Sequence, residues 1–206
     1  MMREEDTADG EWRARQLTVD RLRDAVHAVE SKDPVFIDIE AEKDRTAVRH
    51  RALRLLDHRS RSRQELDRRL GDLEFPAGVV ADVLDDLERV GLIDDETFAY
   101  EWVRQRHRRR GKSRDVLDRE LRDKGVAPEL RIRALDQIAE ADERAMALHL
   151  ARKKAQTTVA CAPRERADRD RALRRILGVL GRRGFPQGMS MELAREALEE
   201  RISELS

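Results

Sequence analysis

From Ala47 onward the apolar residues recur three and four positions apart, the spacing of one face of an α-helix. Val48, Ala52, Leu55 and Leu56 share a face, as do Leu66, Leu70 and Leu73. Val79, Val80, Val83, Leu84, Leu87 and Val90 then form a full stripe. No useful length of chain alternates with the two-residue period of a strand. The boundaries carry matching signals. Ser62-Arg63-Gln64-Glu65 fits a capping box, in which the hydroxyl and the carboxylate satisfy N–H groups orphaned at a helix start. Pro76 suits a first turn, Gly91 a C-terminal end, and Asp94 the N-cap of a helix holding Phe98, Ala99, Trp102 and Val103. The pattern predicts an all-α protein.

The layout repeats. Moving Ser62, Leu66, Leu70 and Phe75 forward by 51 residues lands on Ser113, Leu117, Leu121 and Val126, and moves Leu84 onto Leu135. A weaker third copy, Ile176, Leu180 and Phe185, keeps the internal offsets of Leu66, Leu70 and Phe75. Each copy has a hinge residue with a proline close behind it, as in Val126-Ala127-Pro128 and Phe185-Pro186. The expected division is three three-helix repeats at 47–97, 98–141 and 142–206. Units of this size cannot bury their stripes alone, and stacking neighbours supplies one extended core. The connection from Gln156 to about Asp168, with Cys161 and Pro163, reads as an exposed loop. Residues 1–46 read as an extension, largely disordered or marginally helical: few apolar groups recur across Trp12–Val29, Ser31–Pro34 is a break, and Val35-Phe36-Ile37 is short.

Composition narrows the chemistry. Charged residues make up 42% of the 206 and hydrophobic ones 39%, against roughly 25% charged in an ordinary domain. No run approaches the roughly 20 apolar residues of a membrane span. Met1 to Asp6 open no apolar signal segment, so the expected compartment is the cytoplasm and no membrane contact is expected. One cysteine, Cys161, excludes a disulfide framework and a cysteine-rich zinc site. His27, His50, His58, His107 and His149 lack paired ligand spacing. Ser60 and Ser62 lack the glycines of a nucleophile elbow, and Gly178–Gly181 lacks the lysine of a phosphate loop. Asp94-Asp95-Glu96 reads either as a divalent-cation cluster or, more simply, as acids complementing the dipole at a helix start. No catalytic residue, metal or cofactor is expected. The residues describe a binding protein, expected to be a monomer.

Forty-three basic residues balance forty-three acidic ones, yet the charges are sorted. From Arg104 to Arg114 there are seven basic side chains and no acid; from Asp82 to Glu96 there are seven acids and only Arg89. Arg59, Arg61, Arg63, Arg68 and Arg69 surround one helix–helix turn. Arg104, Arg106, Arg108, Arg109, Arg110, Lys112 and Arg114 surround the equivalent turn one repeat later. Such a pair of turns is either a solvated face or a basic track for phosphate or an acidic protein surface.

Arg61-Ser62-Arg63-Gln64-Glu65-Leu66, followed by Gly91-Leu92-Ile93-Asp94-Asp95-Glu96-Thr97-Phe98-Ala99, resembles the RecX family of RecA regulators. Gly111-Lys112-Ser113, Glu120 to Val126 and Arg183-Gly184-Phe185 agree in order and spacing, so the resemblance covers about Ala47 to Leu205. Lys112 and Ser113 depart from the proline or isoleucine usual near that glycine. The resemblance implies an elongated, curved array of three tandem three-helix units. It also implies binding in the groove of the RecA–single-stranded-DNA filament, limiting filament extension, ATP hydrolysis and strand exchange, with single-stranded DNA as a direct second contact. The twelve cations of the two turns are then the expected contact residues; Ser62, Glu65, Asp94, Phe98, Trp102 and Phe185 are the expected structural ones. The alternative is a helical nucleic-acid-binding protein working through its basic track without RecA.

Overall fold

The computed structural model describes residues 39–163 and 165–205, and among them the regular structure is entirely helical. Of these, residues 44–205 belong to one compact unit. Nine described helices run in order, three to each core. The first three are α1 (Ile39–His58), α2 (Arg63–Gly71) and α3 (Ala77–Arg89). They enclose Val48, Ala52, Leu66, Leu70, Val83, Leu84 and Ile93. Next come α4 (Asp95–Arg110), α5 (Arg114–Asp123) and α6 (Pro128–Leu135), around Phe98, Ala99, Val103, Leu117, Leu121, Val126 and Leu135. The last are α7 (Glu140–Thr158), α8 (Arg166–Arg183) and α9 (Gln187–Glu204). Their core is rich in alanine (Ala147, Ala151, Ala155, Ala194, Ala197), with Ile176, Leu180, Phe185 and Leu193 filling it. The protein is an all-α fold of tandem three-helix units. Leu66, Leu117 and Ile176, matched in the sequence pattern, are all fully buried, as are Leu70, Leu121 and Leu180; each such side chain contributes about 1.5–3 kcal/mol of burial.

Several local expectations change. Helix α1 starts at Ile39, inside the 1–46 segment, with Glu40 and Glu42 in its first turn where the dipole favours acids. Arg45 and Arg49 on it bond Asp82 and Asp86 of α3 at 3.1 and 2.7 Å. Trp12–Val29 and Val35–Ile37 lie outside the described residues. The connection before α8 is shorter than Gln156–Asp168, because α7 runs to Thr158 and α8 starts at Arg166; Cys161 within it is exposed. Helix α8 opens without the serine cap found on α2 and α5.

Consecutive units meet through a joint that is built twice. Ser62 caps α2 by accepting from the Glu65 N–H, and its hydroxyl donates to the Lys124 carbonyl of the next unit at 2.6 Å. Ser113 caps α5 by accepting from the Val116 N–H and donates to the Gly184 carbonyl at 2.8 Å. The free N–H of Arg63 donates to Asp95, and that of Arg114 donates to Glu143, both at 2.8 Å. An acid on the first helix of each following unit thus satisfies an orphan donor of the preceding one. The residue before each hinge is left-handed: Glu74 at φ 60°, Gly125 at 73° and Gly184 at 82°. Glycine is needed at the latter two because the preceding unit presses on them. A Cβ on Gly184 would overlap Val116 and lie 2.8 Å from Ser113 Oγ, and one on Gly125 would overlap Gln64. At the unit-one position the side chain of Glu74 is exposed.

Candidate functional site

The first basic turn is absorbed into the first joint. Arg61 is 6% exposed; its Nε donates to the Leu55 carbonyl at 3.0 Å and its Nη1 to Glu65 at 2.6 Å. Glu65 also pairs with Arg59, with Lys124 of the next unit at 3.0 Å, and with Arg69 at 3.7 Å. The second half of the expected capping box is therefore not made, because the carboxylate turns to these cations. Burial alone would raise the Glu65 pKa, but hydrogen bonds from Arg59 and Lys124, and their charges, bring it to about 2. Arg61 is pushed down by burial and by the nearby Arg59 charge. Arg63 pairs with Asp85 at 2.5 Å and Glu88 at 2.9 Å, and Arg68 donates to the Asp123 carbonyl.

The second turn divides. Arg106 stacks 3.8 Å over the Trp102 ring and pairs with Glu120 at 3.4 Å. Lys112 pairs with the same carboxylate at 3.3 Å, and the Trp102 Nε1 donates to it at 3.0 Å. Trp102 is half-buried, 5.5 Å from Phe98, with Lys124 at 4.3 Å. Burial lowers the Arg106 pKa; Glu120 counters it, while Arg110 and Arg59 add to the lowering. Arg114 donates to the Ile138 carbonyl at 2.5 Å and pairs with Asp136. Arg104 pairs with Glu101 at 2.6 Å on the surface, where such pairs are worth little. Arg108, Arg109 and Arg110 are exposed and make no ion pair among the described residues. Asp94 caps α4 by accepting from the Glu96 and Thr97 N–H groups, and Phe98 and Phe185 are buried.

The acidic block has its own internal use. Asp82 and Asp86 meet α1, Asp85 and Glu88 meet Arg63, and Glu96 meets Arg133. Asp95 is pushed up by burial, partly offset by the Arg63 N–H. Most sorted charge therefore cancels within the fold. No window of sequence reveals those pairs, because the partners lie on different helices.

Sequence reasoning also missed two grooves, each between the first helices of adjacent units. The one between α1 and α4, about 500 Å³, is lined by Leu53, Leu56, Asp57, Asp94, Phe98 and Glu101. The one between α4 and α7, about 490 Å³, is lined by Tyr100, Arg104, His107, Arg108, Asp142, Met146 and His149. Their walls correspond: Arg104 and Arg108 follow Leu53 and Asp57 by the 51-residue step. Asp142, Met146 and His149 stand where Asp94, Phe98 and Glu101 do, if α4 and α7 are aligned on the joint acids Asp95 and Glu143. Tyr100 is 49% exposed; an exposed aromatic four and eight residues before two arginines was the available signal.

Two family models match. The first three-helix domain of RecX covers residues 49–87 and the second covers residues 94–135. The chain is similar to the regulatory protein RecX of Corynebacterium efficiens, 59% identical over 170 residues, which is 82% of this chain and 80% of that protein. It is 40% identical over 148 residues to the regulatory protein RecX of Streptomyces coelicolor, 72% of this chain and 76% of that protein. A crystal structure of a regulatory protein RecX superposes with a TM-score of 0.64 at 23% identity, covering 77% of this chain and 75% of that one, and so shares the fold.

Proposed function

Because the chain belongs to the RecX family, we propose that it is a negative modulator of RecA, working in the cytoplasm as a monomer without a cofactor. It binds along the groove of the RecA–single-stranded-DNA filament and limits extension, ATP hydrolysis and strand exchange. The observation that carries this reading is the doubled joint. Ser62 and Ser113, with Asp95 and Glu143, join successive units through the same two kinds of bond. The serine reaches a carbonyl two residues before the hinge in the first joint and one residue before it in the second. A row of spaced units can engage successive protomers of a polymer, so that each later contact is intramolecular and avidity rises only on the assembled filament. Of the twelve cations expected to face the partner, eight are paired with acids at home. Arg68, which bonds only a backbone carbonyl, and Arg108, Arg109 and Arg110, exposed at the end of α4, are left to meet it. That internal neutralisation also weighs against a protein acting through a basic track alone, which needs uncompensated charge to release counterions from DNA.

Reversing all three charges (R108E, R109E, R110E) is expected to raise the concentration needed for half-inhibition of RecA ATP hydrolysis by roughly tenfold or more, with far-UV circular dichroism unchanged. Unaltered inhibition rejects the assignment. Binding to filament and to naked DNA, compared at two salt concentrations, separates the readings: equal affinity for both with a steep salt dependence favours the RecA-independent alternative.

A further inference from the structure

We propose that the groove between α4 and α7 is a single-stranded nucleic-acid subsite that takes one unstacked base against Tyr100 and the adjoining phosphate on Arg104 and Arg108. It rests on the direct single-stranded-DNA contact that the RecX resemblance implies. It adds the groove and the base-stacking residue through which that contact is made, and it does not depend on RecA.

The fold supplies its own control. Both grooves have nearly the same volume, about 500 and 490 Å³, and are framed by equivalent helices. Asp57, Asp94 and Glu101 make the first one acidic, with buried Arg61 as its cation. In the second, Arg104 and Arg108 replace Leu53 and Asp57, and His149 replaces Glu101. Asp142 is its one acid. The change of sign is confined to the second groove, although the backbone that builds it is shared.

The rings decide between kinds of anion. Arginines alone suit an acidic peptide as well as a phosphate. Tyr100, however, keeps nearly half its surface open in a groove also lined by Met146 and Ile138, the latter 3% exposed. A flat heteroaromatic base gains by stacking on such a ring, with arginine at its edge. An aspartate or glutamate side chain gains nothing from it. Tyr100, Arg104 and Arg108 are one turn apart along α4, about 6 Å per step, so base and phosphate contacts fall in a row. The surface pair of Arg104 with Glu101 is of the weak, exchangeable kind.

The test uses the full chain without RecA, and the anisotropy of a fluorescein-labelled oligothymidylate. Tyr100→Ala is expected to weaken binding roughly tenfold, and Tyr100→Phe to retain it. An abasic strand of equal length should bind the parent chain more weakly and be indifferent to Tyr100→Ala. Arg108→Asp, which copies the first groove, should weaken both strands and lower the salt slope of the parent. Asp57→Ala in the first groove should not weaken either. Absence of binding by the parent, equal binding of abasic and thymidine strands, or parental affinity in Tyr100→Ala each overturns the proposal. So does equal displacement of the strand by polyglutamate, which would mark an acidic-peptide site. Because RecA is absent throughout, failure here leaves the filament reading to its own experiment.

Discussion

The joint between the first and second units and the joint between the second and third share a frame and differ in substance. Each uses a serine hydroxyl on a carbonyl just before the next unit's hinge and an acid on the N–H after that serine. Yet position 65, in the first joint, is a glutamate holding Lys124 across the boundary at 3.0 Å. The equivalent Val116 in the second sits against Gly184. Both joints press a side chain on a glycine, and the first adds a tie by charge that the second lacks. A repeat can therefore preserve the angle at which its units meet while leaving the side chains around that angle free to acquire different sensitivities to pH, salt and volume.

The largest test of that contrast concerns volume. Gly184→Val should cost about 3–5 kcal/mol, since φ 82° disfavours a side chain and Val116 and buried Ser113 cannot both withdraw. Gly125→Ala should cost about 2–4 kcal/mol, because exposed Gln64 can swing its amide aside but its Cβ, 2.5 Å from the new methyl, moves only with the backbone. Glu74→Gly, at the same left-handed position with nothing of a preceding unit shown against it, should be neutral or stabilising by up to about 1 kcal/mol. Urea denaturation of the three variants gives the order; a Gly184 variant no worse than the Glu74 one would dissolve the distinction.

Charge comes next. Glu65→Gln leaves Arg61 buried with a weakened partner and should cost about 2–3 kcal/mol near neutral pH. The Glu65 pKa is about 2 in the folded chain against an ordinary 4.5. The unfolded chain therefore binds this proton more readily, and the associated stability is complete above pH 4.5 and disappears as pH falls toward 2, up to about 3 kcal/mol in all. Half-buried Asp95, shifted upward, works in the opposite sense and blunts the loss. Parent and Glu65→Gln should converge in stability through that window. Val116→Ala should lose about 1 kcal/mol with no such convergence. Parallel pH profiles for parent and Glu65→Gln would contradict the charge-tied joint.

The smallest effect tests what the joints have in common. Ser62→Ala and Ser113→Ala each remove a helix cap and a bond across the boundary, about 1–2 kcal/mol. The two losses should agree to within about 0.5 kcal/mol, inside the scatter typical of single caps. A markedly unequal pair, read from denaturation midpoints, would show that the shared frame is only geometric.

Much of this architecture is legible along the chain. The three- and four-residue spacing of Leu66, Leu70, Leu117 and Leu121 marks buried faces, and the 51-residue step reports the repeat before any coordinate is known. The caps at Ser62, Asp94 and Ser113 can be read because they act within a few residues of themselves. The basic turns are legible as clusters but not as surfaces. Arg63 looks as available as Arg108 in sequence, yet Asp85 and Glu88 take it from more than twenty residues away.

The amino-acid order by itself therefore determined the helices, their caps and their threefold recurrence, since hydrophobic periodicity and capping depend on neighbours within one or two turns. Only the tertiary structure decided which cations remain free, which glycines lie under a neighbouring unit, and that Tyr100 shares a groove with His149. Those properties arise where helices distant in sequence meet. Coulombic pairing and steric exclusion act across the few ångströms of that meeting and leave no period in the chain.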